Sequence, residues 1–187
     1  MPNWCSNGLT LTHSDPTMIE RVIKGKGGLL QEFIPCPQDL IDTVSGFVGE
    51  GQELLEARQR ANVEKYGYAT WYDHNVNEWG TKWDVSADSI ERVDENTVSL
   101  SFESAWSPPI GAYEKLMALG FEVEAFYYEP GMCFVGKWDN GDDTCIEYGE
   151  YTSATVREAI GEELDDYFGI SENMAEWEEE NEELNED

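Results

Sequence analysis

Apolar and polar residues alternate with period two in several stretches of the chain and recur at helical spacing in the stretches between. Residues 4–12, WCSNGLTLT, are rich in β-favouring side chains and alternate in their second half, which predicts a first strand. Ser14 or Asp15 then caps a helix with Pro16 in its first turn and Ile19, Val22 and Ile23 on one face, and Gly25, Gly27 and Gly28 end it. Phe33-Ile34-Pro35-Cys36-Pro37 reads as an extended apolar segment, because each proline disfavours helix in the residue before it. Residues 50–66 are helix formers with Glu56 and Arg60 at i,i+4, and read as a helix inserted before the next strand. A short helix over residues 71–79 places Trp71, Asn75, Glu78 and Trp79 on one face, with His74 beside them.

Residues 81–93 read as a second strand, residues 94–96 as a turn, and residues 97–102, with Val98, Leu100 and Phe102 alternating with polar residues, as its hairpin partner. Ala105-Trp106-Ser107-Pro108-Pro109 predicts a rigid loop in which Ser107 caps and Pro108 or Pro109 opens a helix that Gly120 stops. Residues 121–128 alternate again, and Asn140-Gly141 joins residues 132–138 and 144–148 in a tight hairpin. The order β-α-β-β-α-β is that of the split βαβ: an α+β fold with a ferredoxin-like antiparallel sheet and both helices on one face. One domain over residues 1–150 is expected, with an insertion at about 46–80 and the hairpin added to the sheet. Val156, Ile160, Leu164 and Tyr167 or Phe168 share one helical face, so residues 151–170 form a docked acidic helix that turns Glu158, Glu162, Asp165 and Asp166 toward water. Residues 171–187 are an acidic tail.

Charge narrows the function. The 187 residues hold 40 acids against 11 Lys and Arg, for a formal net charge of −29. Residues 139–187 carry 19 acids and one base, Arg157, a net of −18. Such a surface repels phosphates, which argues against direct nucleic-acid binding. With 7 Trp, 9 Tyr and 7 Phe the chain is too aromatic for a wholly disordered acidic protein. No apolar run is long enough to span a membrane, and MPNWCSNGLT lacks the basic start and apolar stretch of a secretory signal, so a cytoplasmic protein is expected.

Motifs for chemistry are sparse. Cys5, Cys36, Cys133 and Cys145 are scattered without a CxxC pair, which favours reduced structural thiols over a metal or cluster site. The run KGKGG follows a helix and does not match a phosphate-binding loop. Asp139, Asp142 and Asp143 miss the spacing of an EF-hand calcium loop. Neither His13 nor His74 has the spacing of a triad, so no catalytic residue, metal or cofactor is assigned. Trp4, Trp71, Trp79, Lys82, Asp84 and Trp106 are candidates for a small aromatic pocket. The competing account makes those tryptophans scaffold and Lys82 with Asp84 a surface ion pair.

A family resemblance rests on several motifs in order across residues 2–138. They are Pro2-Asn3-Trp4-Cys5 with Asn7, Ile34-Pro35-Cys36-Pro37, Trp79-Gly80-Thr81-Lys82-Trp83-Asp84, Ala105-Trp106-Ser107-Pro108-Pro109, and Tyr128-Glu129-Pro130-Gly131 with Phe134 and Gly136. Together these resemble the YubB-type ferredoxin-like domain family of phage and plasmid proteins. The resemblance implies the ferredoxin-like topology and a mobile-element setting, and it brings no catalytic residues. Glu78 stands where that family tends to have Asn.

The acidic segment after residue 150 lies outside the resemblance. Residues 172–187 hold 9 acids, and as a helix of about 1.5 Å rise per residue they would carry about one negative charge per 2.7 Å. B-DNA carries one per about 1.7 Å counting both strands. A partner-binding acidic surface is therefore expected over Glu158, Glu162, Asp165, Asp166, Glu172, Glu176, Trp177, Glu178, Glu179, Glu180, Glu182 and Glu183, with Trp177 as anchor. The expected partner is a basic host protein that handles nucleic acid or serves in defence, inhibited by charge mimicry. Three plainer accounts compete: a halophile's surface, which the 27 Glu to 13 Asp disfavours; a partner basic for unrelated reasons; and a solubility tail. Adjacent like charges and few anchors, Met174, Trp177 and Leu184, predict disorder for the free tail. A small-molecule or catalytic role for the Trp-rich loops is the alternative function. RNA binding through Phe102 and Tyr127 lacks a basic pattern.

Overall fold

The computed structural model describes residues 3–185, with side chains through residue 181. The chain runs β1 (Trp4–Thr12), α1 (Pro16–Lys24), α2 (Leu29–Phe33), α3 (Gln38–Ile41), α4 (Gln52–Tyr66), α5 (Trp71–Glu78), β2 (Ser89–Arg92), β3 (Thr97–Ala105), α6 (Ile110–Ala118), β4 (Glu122–Glu129), β5 (Phe134–Asp139), β6 (Asp142–Glu147), α7 (Ser153–Ile160), α8 (Glu162–Phe168) and α9 (Ile170–Asn185). Six strands pair in the order β2-β3-β1-β4-β5-β6, all antiparallel. The first four reproduce the split βαβ order, and the β5–β6 hairpin extends the sheet beyond β4.

Period-two alternation sorts the sheet into two faces. Leu9 and Leu11 of β1, Val98, Leu100 and Phe102 of β3, and Val123 and Ala125 of β4 are buried on one side. There they pack with Ile19 and Val22 of α1 and Ala112, Tyr113 and Leu116 of α6. Asp15 caps α1 by accepting from Thr17 N at 2.9 Å. On the opposite side, Phe126, Tyr128, Val135 and Ile146 of β4–β6 meet Val156, Ile160, Leu164 and Ile170 of α7–α9 in a second core. Two glycines permit this layering. A side chain at Gly136 would meet the Tyr127 ring at 2.3 Å, and one at Gly8 would meet Tyr167 Oη at 1.9 Å.

Several local expectations are revised. Only residues 89–92 of the expected 81–93 strand pair with the sheet, because the segment before them serves other elements. Thr81 Oγ1 donates to Ala105 O, and Asp84 accepts from the amides of Leu30 and Gln31. Phe33 ends a short helix instead of beginning an extended segment. Ser107 does not cap α6; its hydroxyl donates to Gly80 O, and Pro109 occupies the cap. The docked C-terminal helix is two helices, broken where Gly161 takes φ 88°, ψ 154°. Residues 170–185 are helical instead of disordered. Buried Ile170 and two carboxylate contacts described below dock this helix against the like-charge repulsion along it.

Candidate functional site

The chain's most acidic surface lies on α7–α9, and its carboxylates divide into two kinds. Asp165 is 2% exposed and does not face water as the helical spacing suggests. Its Oδ1 accepts from Ser171 N at 2.8 Å, and its Oδ2 accepts from Ser171 Oγ at 2.7 Å and Arg157 Nη1 at 2.8 Å. Burial raises its pKa, but the Ser171 and Arg157 donors outweigh this and hold the carboxyl below its ordinary value. Glu178 is the second structural carboxylate: Oε1 accepts from Ser153 N at 2.9 Å and Oε2 from Ser153 Oγ at 2.6 Å. Those bonds lower its pKa.

The remaining acids do face solvent. Glu158, Glu162, Glu172, Glu176, Glu179 and Glu180 are exposed, as is Asp166, whose Oδ1 accepts from Arg157 at 2.6 Å. On α9 the spacing of 172, 176, 179 and 180 sets four carboxylates along one side, with Ile170 and Met174 packed inward. Trp177 is 66% exposed beside this row. The side chains of Glu182 and Glu183 and of Leu184 lie outside the described residues.

A cleft under Trp177 escaped the sequence reading. Tyr128 of β4, Tyr148 and Tyr151 after β6, and Trp177 and Met174 of α9 line a space of about 520 Å³, with Glu178 and Cys133 at its wall. The Tyr128 and Tyr148 rings stack at 6.0 Å. Three separate segments build this cleft, so no sequence window contains it; the pair Tyr148 and Tyr151, flanking Glu150, is its only local trace.

The candidate tryptophan pocket splits. Trp4 and Trp83 lie 5.9 Å apart, and Lys82 Nζ stands 4.6 Å from the Trp83 ring, 5.1 Å from Trp106 and 5.9 Å from Tyr72. The cation thus fills an aromatic cage. Trp106 takes a left-handed φ of 69°, unusual for a bulky residue. Trp71 lies instead in a shallow groove with Trp79 and Asp84. Trp79 is buried and its Nε1–H donates to Ile34 O at 2.9 Å, which makes it scaffold. Asp84 makes no ion pair with Lys82; its carboxylate closes the start of α2. Burial pushes its pKa up against those three amide donors.

Among the described residues, no three His, Cys, Asp or Glu side chains are grouped to hold a metal ion. Burial drives the Cys5 thiol up to about 12 and Cys36 to about 11, which keeps both protonated. No helix among the described residues is long and apolar enough to cross a membrane.

No family model matches the chain, and no curated protein does. Among solved structures, a crystal structure of the Api92 protein from Yersinia pseudotuberculosis, of family DUF1281, is similar at a TM-score of 0.44 and 14% identity, covering 80% of this chain and 99% of that one. So distant a likeness adds nothing to the topology read from the strand pairing.

Proposed function

We propose that the chain is a non-enzymatic acidic protein of phage or plasmid origin that binds a basic host protein of the cytoplasm, one that handles nucleic acid or serves in defence, and inhibits it. The observation that carries this reading is the row Glu172, Glu176, Glu179 and Glu180 on a docked helix. Eight residues of rise at about 1.5 Å put these four carboxylates within about 12 Å, one per about 3–4 Å. One DNA strand presents a phosphate per about 3.4 Å. A helix already docked presents these charges without the ordering cost a disordered tail would meet on binding. The mobile-element setting rests on the resemblance of residues 2–138, since fold alone licenses no function.

Pull-down from bacterial lysate at low and high salt, with the full chain and with E172Q/E176Q/E179Q/E180Q, tests this. The expected result is capture of a DNA- or RNA-handling protein by the full chain at low salt, lost at high salt and lost with the variant. Equal capture by both proteins at both salts would overturn it.

A small-molecule site at the tryptophans is the second reading, favoured by the left-handed Trp106, because strained residues concentrate at functional sites. Lys82 already occupies the cage there, so a ligand would have to displace it.

A further inference from the structure

We propose that the aromatic cleft under Trp177 is an arginine pocket, into which the basic partner of the acidic face inserts a guanidinium side chain. The inference rests on the function proposed above and names the chemistry by which that partner would be recognised.

The molecule repeatedly pairs aromatic faces with its own cations. Arg21 Cζ lies 4.5 Å from the Phe33 centroid, Lys65 Nζ 4.6 Å from Tyr66, Lys137 Nζ 5.3 Å from Phe126, and Lys82 sits in its cage. None of these cations reaches the cleft. Among the described residues, no Lys or Arg stands over Tyr128, Tyr148, Tyr151 or Trp177. Arg157, the one base of residues 139–187, is held by Asp165 and Asp166.

The cleft also has a carboxylate where a cation would need one. Glu178 lines it, and each of its oxygens accepts one bond from Ser153, which leaves further lone pairs on both. Exposed Glu150 sits between the lining residues Gly149 and Tyr151. A space of about 520 Å³ walled by four aromatic rings takes a planar, weakly hydrated guanidinium better than a strongly hydrated ammonium. Trp177, more than half exposed, is the wall that a partner side chain would cover.

The test titrates octa-arginine and octa-lysine peptides into the full chain at fixed ionic strength, and repeats this with Trp177→Ala, Tyr151→Leu and E172Q/E176Q/E179Q/E180Q. The full chain should prefer octa-arginine by about tenfold. Each cleft variant should erase the preference and leave octa-lysine affinity nearly unchanged, whereas the four-Gln variant should weaken both peptides. A second readout uses Cys133, which lines the cleft. In a Cys145→Ser background, octa-arginine should slow alkylation of Cys133. A peptide bound only to the acidic row would leave the thiol uncovered and its alkylation unslowed. Equal affinity for the two peptides, or alkylation that does not slow, would overturn the pocket while leaving the acidic face standing. Unchanged binding by the four-Gln variant with Cys133 still protected would retain the pocket and remove the acidic-face reading. Failure of both peptides to bind would remove both.

Discussion

Glu178 of α9 grips the first residue of α7: its Oε1 lies 2.9 Å from Ser153 N and its Oε2 2.6 Å from Ser153 Oγ. Asp165 of α8 grips Ser171 of α9 in the same two-oxygen manner. Two carboxylates therefore brace three consecutive helices, and the acidic segment is held together partly by its own charge. The exposed row on α9 is presented from this braced unit.

The brace predicts a pH response. Both carboxyls titrate below their ordinary range, Glu178 because Ser153 donates to it and Asp165 because Ser171 and Arg157 outweigh its burial. A depressed pKa contributes stability that is complete above the unfolded carboxylate value of about 4 and is lost as pH falls through the folded value. Hydrogen exchange from pH 7 down to pH 3 should show α7–α9 losing protection before β1, β3 and β4. Simultaneous loss would contradict the brace.

Asp165→Ala should destabilise the protein by about 1–3 kcal/mol, since it leaves the Ser171 amide and hydroxyl without their acceptor while Arg157 keeps Asp166. Asp166→Ala, at an exposed neighbour, should leave the denaturation midpoint nearly unchanged. Urea titration of the two variants checks this directly, and equal midpoints would return Asp165 to the solvated surface.

Gly136→Ala should cost about 2–3 kcal/mol, because the new methyl would strike both the Tyr127 ring and the backbone oxygen of Thr144. Gly8→Ala should cost less than about 1 kcal/mol, as it strikes Tyr167, whose exposed ring can swing aside. Thermal melts should show that order.

Lys82→Ala should lower stability by about 0.5–2 kcal/mol by emptying the aromatic cage, and Lys82→Arg should restore most of it. Were the tryptophans a ligand site, Lys82→Ala would change ligand-dependent function while the melting temperature held.

Periodicity made much of the fold legible. The residue 4–12 alternation coincides with β1, and Asn140 and Gly141, at φ 47° and 108°, make the tight turn their types suggest. Segments governed by distant polar contacts were not legible. Thr81 bonds Ala105 and Asp84 bonds Leu30, partners 24 and 54 positions away, so residues 81–88 read as strand while serving as braces. Carboxylates posed the same difficulty. Asp165 and Glu178 are indistinguishable in sequence from Asp166 and Glu179, and only their contacts with Ser171 and Ser153 separate structural acids from presented ones. The aromatic cleft needed three segments brought together before it existed at all.

Under the proposed function, the α9 carboxylates fill a surface that the partner otherwise uses for phosphates. The most direct test of this loads the captured partner onto the immobilised full chain at low salt, then challenges the complex with duplex DNA or with sodium chloride of equal ionic strength. Release by DNA at concentrations where the salt releases nothing is the predicted result. A partner that stays bound while also taking up the DNA would contradict the account.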